Sequence, residues 1–432
     1  MSWAELKGEA FGGPRTALDP RSDAGQEAVG FVLALGRALH SSGYSAQRLE
    51  SVLTMAAERL GLAEPQFFST PTSLNASFGD ERNQRTFMLR VQPGETNLGR
   101  LAALDAATTD VIRGTLSISL GMAAIERIIA MPRRYPAWAS LLAFGLLSAS
   151  VARFFGGGVR EIVVGGLTGL FVGVLAWGAN RWSGFARVFE PAAAFFGTAL
   201  ATILVQAAGP MSLYIATVAG IIALLPGLTL TTAMSELANR HLAAGTARLS
   251  GAFMTFLAIS FGVALGNRVT ESLIGAVRTA SPELLPDWTL GMALLAAPIG
   301  FAIVLSAEAR DIVWIMLGGI CAFIGGRLGS AWLGVGLGSF AGALAIGIAA
   351  NIYARWLDRP ASIVLVPGLS LLVPGSVGYQ SLMLLMEQNV TVGVEAGFRM
   401  LITASSLVAG LLVANVAGPP RKPVERRVVA RP

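Results

Sequence analysis

Leu224-Leu225-Pro226-Gly227 and Leu372-Val373-Pro374-Gly375 put the same helix-breaking dipeptide inside two long apolar stretches of this 432-residue chain. Proline removes a backbone donor and clashes with the preceding turn, so each stretch is expected to divide there into two half-helices. Within a bilayer, freed backbone groups persist only where they line a cavity or are buried in protein. The half-helix that starts at each break offers unpaired N–H groups and the positive end of its dipole, which suit a carboxylate. Side chains that could complete such a site follow each break: Thr229, Thr231 and Thr232 after the first, and Ser376, Tyr379, Gln380 and Ser381 after the second. One Pro-Gly alone is often a simple kink. Two at corresponding points of two hydrophobic halves indicate a transport site between them, with Pro226, Gly227, Pro374 and Gly375 at its centre.

Charged residues near these segments are few. Arg248 and Arg399 stand near the starts of two apolar runs. An arginine deep in a bilayer costs at least about 2.5 kcal/mol, so each either snorkels to the interface or gates and guides a carboxylate. Glu236 follows the first broken segment and is the candidate carrier of a coupling proton, since burial raises the pKa of a carboxylate. Glu190, Glu308, Asp311, Glu387 and Glu395 read as boundary charges.

Several other chemistries are excluded. The single cysteine, Cys321, and the two histidines, His40 and His241, cannot supply a Cys/His metal cluster, and no intramolecular disulfide is possible. There is no Gly-x-x-x-x-Gly-Lys-Ser/Thr loop for ATP, and no cofactor is expected. His40, Ser41, Ser42, Glu50, Thr70, Thr72 and Asp80 could be assembled into a hydrolase only without a Gly-x-Ser-x-Gly elbow, so they read as turn and surface residues.

What must position the breaks is a membrane domain. Hydrophobic residues make up 53% of the chain and charged ones 13%, with mean hydropathy +0.62; soluble domains carry about 25% charged residues. Residues 1–135 have ordinary charge and predict an α+β head of order α-α-β-β-β-α-α. Its expected helices are Gln26–Leu39, Ala46–Leu60, Leu98–Ile112 and Ile118–Met131, and its strands Gln66–Thr70, Ser73–Phe78 and Thr86–Val91, with a turn at Gly79-Asp80-Glu81. Ten spans follow, at 137–155, 161–179, 190–208, 212–235, 247–267, 288–306, 311–326, 331–352, 361–386 and 395–416, each near the ~20 residues a bilayer needs.

The net charge of +6 comes from loops on one side (Arg133, Arg134, Arg181, Arg187, Arg240, Arg310, Arg355, Arg359) and from the tail at 419–432. That is the positive-inside pattern, and it needs no nucleic acid. Both termini are expected in the cytoplasm, because Met1–Asp23 is polar and holds no signal-peptide core.

The spans divide into two fives, 136–270 and 285–418, whose sequences match. Arg160-Glu161-Ile162-Val163 answers Arg310-Asp311-Ile312-Val313. Phe196-Gly197-Thr198-Ala199-Leu200-Ala201 answers Phe340-Ala341-Gly342-Ala343-Leu344-Ala345, and Arg248 answers Arg399. An odd number of spans per repeat inverts the second copy, the architecture of alternating-access carriers. Gly165, Gly169 and Gly173 share the four-residue spacing of close helix packing.

These residues resemble the threonine/serine exporter family. The likeness rests on Gly36-Arg37-Ala38-Leu39 through Gly43, Arg48-Leu49-Glu50, Thr70-Pro71-Thr72 and Ser77-Phe78 in the head. It continues through Leu225-Pro226-Gly227-Leu228, Glu236-Leu237, Gly245-Thr246-Ala247-Arg248, and Leu372-Val373-Pro374-Gly375 with Tyr379, covering about 27–417. The resemblance implies secondary export of small amino acids across the cell membrane, driven by the membrane potential or a proton gradient. Two departures stand out: Asn239-Arg240-His241 replaces a common Gly-Asp pair, and Glu236 replaces the usual Asp. A related architecture exports succinate, so a dicarboxylate exporter is the nearest rival. A membrane-anchored hydrolase or regulator acting through the head, and a passive channel, are the other readings. The sequence leaves a homo-oligomer open.

Overall fold

The computed structural model describes residues 18–80, 82–372, 375–386 and 388–418. Glu81, Val373, Pro374, Glu387 and the basic tail from 419 onward lie outside the described residues, as do Lys7 and the first 17 positions. The chain forms two compact units. One is built from residues up to Thr96 and from Arg100–Met131; the other comprises Asn97–Gly99 and the residues from Pro132 onward.

In the first unit Ser22 caps helix α1 (Asp23–Ser41) by accepting the Gly25 N–H, and α2 (Ala46–Arg59) follows Gly43, whose φ of +89° suits glycine. Strands β1 (Gln66–Thr70), β2 (Ser73–Phe78) and β3 (Arg85–Arg90) form an antiparallel meander, with Gln66 opposite Ser77 and Phe78 opposite Arg85. Helices α3 (Leu98–Ile112) and α4 (Ile118–Ala130) complete the elements. Phe31, Leu35, Leu49, Leu53, Leu74 and Phe78 are fully buried. Gly36 lets α1 approach: a methyl there would lie 2.6 Å from Leu74 Cδ2 and 3.1 Å from Leu53 Cδ1.

The second unit is helical: α5 (Ala137–Phe154), α6 (Val159–Ala179), the short α7 (Ser183–Ala186), α8 (Phe189–Ala208), α9 (Leu213–Gly220), α10 (Gly227–Ala238) and α11 (Leu242–Ile274). There follow α12 (Trp288–Val304), α13 (Ile312–Leu333), α14 (Val335–Leu357), α15 (Ser362–Ser370), α16 (Gly375–Met386) and α17 (Val390–Ala417). Among the described residues, eight segments are long and apolar enough to cross a membrane, or nine if the bent pair α9/α10 is one span. Helix α12 occupies the remaining expected position. Its 17 residues reach only about 25 Å, slightly short of the ~30 Å hydrocarbon core. The chain is a polytopic membrane protein.

Boundaries differ most where glycines are dense. The expected gap between spans at 326–331 is helical, and α13 runs on to Leu333, where Gly334 at φ +83° ends it. The intervening glycines are contact points. A methyl at Gly325 would lie 3.0 Å from the Ala341 carbonyl oxygen, and one at Gly329 would lie 2.7 Å from that of Gly338, both on α14. Small residues bring α13 and α14 backbones together here, so they sustain a helix pair that composition alone would interrupt.

Packing within the two halves follows one pattern. In the first, α5 packs on α6, α8 on α11, and α9 on α6 and α8. In the second, α12 packs on α13, α14 on α17, and α15 on α13 and α14. Between halves, α5 meets α12, α10 meets α16 and α17, and α11 meets α16. One buried cluster joins Val172, Val218, Leu224, Phe256 and Ile259 of the first half to Tyr379 of the second.

Candidate functional site

The first break forms as proline chemistry requires. Helix α9 ends at Gly220, one turn of 3-10 helix covers Ile222–Leu224, and Leu225 is extended (φ −67°, ψ 126°). A residue before proline avoids the helical region, so Leu225 cannot continue the turn. Pro226 then caps α10, and the run Ile222–Ala238 that contains it is bent by 47° from Leu213–Gly220. The Gly227 N–H turns back to the Leu225 carbonyl (2.8 Å) and the Leu230 N–H donates to Pro226 (2.9 Å). Between them, the N–H groups of Leu228 and Thr229 have no hydrogen-bond partner among the described residues.

The second break lies between Ser370, where α15 ends, and Gly375, where α16 begins. An identical dipeptide seven positions earlier, Pro367-Gly368, stays helical inside α15. The sequence reading passed over it, and the Pro-Gly pair alone does not distinguish the two positions.

The two breaks meet. A methyl on Gly375 would lie 3.3 Å from Gly227 Cα and 3.5 Å from Gly227 N, so the first residues of α10 and α16 abut closely enough that even a methyl is tight. Two positive helix ends in contact repel unless an anion offsets them. The juncture can therefore receive a carboxylate at the unpaired N–H groups of α10.

The candidate side chains divide. Thr229 is half-buried and its hydroxyl has no partner among the described residues. Thr231 and Thr232 instead donate back along their own helix, to the carbonyls of Gly227 (3.1 Å) and Leu228 (2.9 Å). Such local bonds compete with any ligand. Ser376 is half-buried at the start of α16, Tyr379 is buried against Leu224 and Phe256, and Gln380 is exposed. Ser381 donates to the Gly393 carbonyl (2.7 Å), tying α16 to α17.

The two arginines differ. Arg248 grips Glu236 at two points, Nε to Oε2 at 3.0 Å and Nη2 to Oε1 at 3.1 Å, and Glu236 is almost fully buried. Sequence placed both near the site without revealing that they are partners. Arg399 pairs with Glu395 one turn away (2.7 Å) on an exposed face of α17.

A second set of charges, read from sequence as boundary residues, forms a network that runs from buried Asp311 to exposed Arg310. Asp311 accepts from the Tyr353 hydroxyl (2.8 Å), and Arg359 Nη2 lies 3.1 Å from Asp311 Oδ2, in ion-pair contact but off the hydrogen-bond direction. Arg359 also donates to Glu308 (2.9 Å), which further holds Arg310 (2.6 Å) and Arg134 (3.4 Å). Burial pushes the Glu308 carboxyl up, but Arg359 and Arg310 outweigh it and hold it below the usual carboxylate range. Burial is also the main cause that raises the neighbouring Tyr135 phenol, whose hydroxyl donates to Ala307 (2.9 Å). The signal in sequence was Tyr353, a hydroxyl within an apolar helix that needs a partner.

In the head, the candidate hydrolase residues have structural partners. His40 Nε2 contacts the Thr70 carbonyl (3.0 Å), Glu50 accepts the Ser69 N–H and hydroxyl, and Ser41 and Ser42 donate to Ala38. Asp80 accepts the Asn83 N–H (2.8 Å) in the turn.

A cavity of about 610 Å³ lies elsewhere, between α11 and α16/α17, lined by Phe253, Phe256, Leu382, Phe398 and Met400. Its walls are almost wholly apolar and Ser381 beside it is already bonded, so it offers little to a charged solute.

Residues 30–270 match the family described as "Putative threonine/serine exporter", and residues 291–417 match "Threonine/Serine exporter, ThrE". Among curated proteins, the chain is similar to pheromone-regulated membrane protein 10 of Eremothecium gossypii, 27% identical over 376 residues, covering 83% of this chain and 50% of that protein. The Saccharomyces cerevisiae protein of that name is 28% identical over 385 residues (85% and 48%), and the Kluyveromyces lactis one 28% over 381 (83% and 38%). The chain thus spans half or less of the length of these relatives. No solved structure matches significantly.

Proposed function

We propose that this chain, which belongs to the threonine/serine exporter family, is a secondary active transporter that exports small amino acids such as threonine and serine. Family membership supports a membrane transporter acting on a small molecule. The observation that carries the finer reading is the contact of Gly227 with Gly375. Two interrupted helices from different halves bring their N-terminal ends to one point, where unpaired N–H groups can hold the substrate carboxylate. Pro226, Gly227, Thr229, Pro374, Gly375 and Ser376 would form the site. The Tyr379 ring would form an apolar wall, and Thr231, Thr232 and Gln380 would contribute only after rearrangement.

The halves are proposed to be inverted five-span repeats. Their shared packing pattern supports this, as does the odd number of spans expected in each. The arginine-rich loops support cytoplasmic termini and an inner-membrane location. The coupling proton is assigned to Glu236. Because Arg248 binds both of its oxygens, protonation requires that pair to part, and Arg248 is then released toward the transport path. Arg399, exposed and paired to Glu395, is assigned to the interface rather than to gating.

Counterflow in proteoliposomes with threonine, serine, proline and succinate tests this reading. Accelerated uptake of labelled threonine by internal threonine or serine supports it. Exchange of succinate alone favours the dicarboxylate reading, and equilibration without trans-stimulation indicates a channel.

A further inference from the structure

The starts of the two broken spans are both tied to an acid that opens the second span of the same half, but by unlike bonds. In the first half, Glu161 is buried at the start of α6. Its Oε2 accepts the Gly158 N–H (2.9 Å) and its Oε1 the N–H of Ser212, the residue that caps α9 (2.9 Å). In the second half the corresponding acid, Asp311, is equally buried just before α13. It is held to Arg359, three residues before α15, and to Tyr353.

The two ties respond differently to being broken. Moving α9 away would strip Glu161 of a backbone donor and leave a buried carboxylate short of partners, which is costly. Moving Arg359 away also costs the buried Asp311 a partner, but a side chain can swing to another acid without moving the backbone. Asp311 keeps the Tyr353 hydroxyl, and Glu308 keeps Arg310 and Arg134. Arg359 is shared between two acids, and its contact with Asp311 is misaligned. It lies in the short loop between α14 and α15, where its long side chain is 11% exposed and can turn outward without moving a helix. One tie is built to stay, and the other to change partners.

We propose that Asp311 and Arg359 form a latch over the start of α15, released when the transport site opens toward the arginine-rich side, while Glu161 and Ser212 are a fixed anchor. The proposal rests on the reading of the chain as a two-halved carrier. The test uses the full chain with Cys321→Ala and one reporter cysteine, Ser362→Cys in α15 or Thr217→Cys in α9. Both positions are buried and both hydroxyls lack a partner. Labelling by an impermeant maleimide in permeabilised vesicles reads exposure and needs no substrate.

Adding Asp311→Asn should speed labelling at 362 about tenfold, the shift expected from losing one charged contact, with labelling at 217 unchanged. Arg359→Gln should act alike. Unchanged labelling at 362, or equal acceleration at both positions, overturns the latch. Failure of both variants to accumulate in the membrane overturns it too, because the pair is then a structural brace. If the labelling behaves as expected while threonine counterflow is absent, the latch stands and the substrate assignment fails.

Discussion

Arg248 meets Glu236 through two parallel hydrogen bonds, 3.0 and 3.1 Å, in a place where the carboxylate is sealed from solvent. A buried pair of this kind is weak evidence of stability as a unit, but breaking it from one side is costly. Arg248→Gln should therefore destabilise the protein by about 3–5 kcal/mol, and the double variant Arg248→Gln/Glu236→Gln should recover much of that loss. Thermal unfolding in detergent checks both.

For transport, Glu236→Gln should abolish uptake driven by a pH gradient and retain exchange, because exchange moves no net proton. Proteoliposome assays with and without the gradient separate the two. Full gradient-driven uptake by the variant would move the coupling ion elsewhere.

The hydroxyls after the first break should be unequal. Thr229→Val should weaken substrate binding about tenfold, the worth of one lost hydrogen bond of roughly 1.4 kcal/mol. Thr231→Val, which removes only a bond to its own helix, should leave the half-saturating concentration nearly unchanged. Concentration dependence of exchange gives the comparison.

Acid should loosen the network around Glu308. Its carboxyl lies below the usual range in the folded protein because Arg359 and Arg310 outweigh burial. A lowered folded value contributes stability above the unfolded pKa, and that stability is lost as pH falls through the folded one. The unfolding temperature should drop as pH is lowered below the usual carboxylate range, and Glu308→Gln should flatten that part of the profile. Identical profiles would show that the ion pairs contribute nothing there.

Cytoplasmic termini predict that Lys7→Cys and Lys422→Cys, in a Cys321→Ala background, are not labelled by an impermeant reagent applied to intact cells. Arg278→Cys, in the opposite loop, should be labelled. Reversal of the pattern would invert the topology.

Much of the scaffold was legible because periodicity and apolar run length report local structure. Strands β1 and β2 and helix α3 fall on the expected bounds, and the expected break at Pro226 is there. Errors came where tertiary packing decides. The glycines at 325 and 329 look like a helix end, yet they pack on α14. Pro367-Gly368, the same dipeptide as at the breaks, drew no expectation and stays helical within α15. Partners were the least legible part. Nothing in local pattern pairs Glu236 with Arg248 or brings residue 227 to residue 375, since each depends on how separate helices meet.

A transport site where Gly227 touches Gly375 cannot survive a bulky side chain at that point. The most direct measurement is threonine counterflow by Gly375→Leu in proteoliposomes, with membrane insertion and the unfolding temperature monitored alongside. The methyl position already lies 3.3 Å from Gly227 Cα, so a leucine must part the two helix ends. Counterflow should be lost in a protein that still inserts and folds; counterflow at the unmodified rate would put the transport site elsewhere.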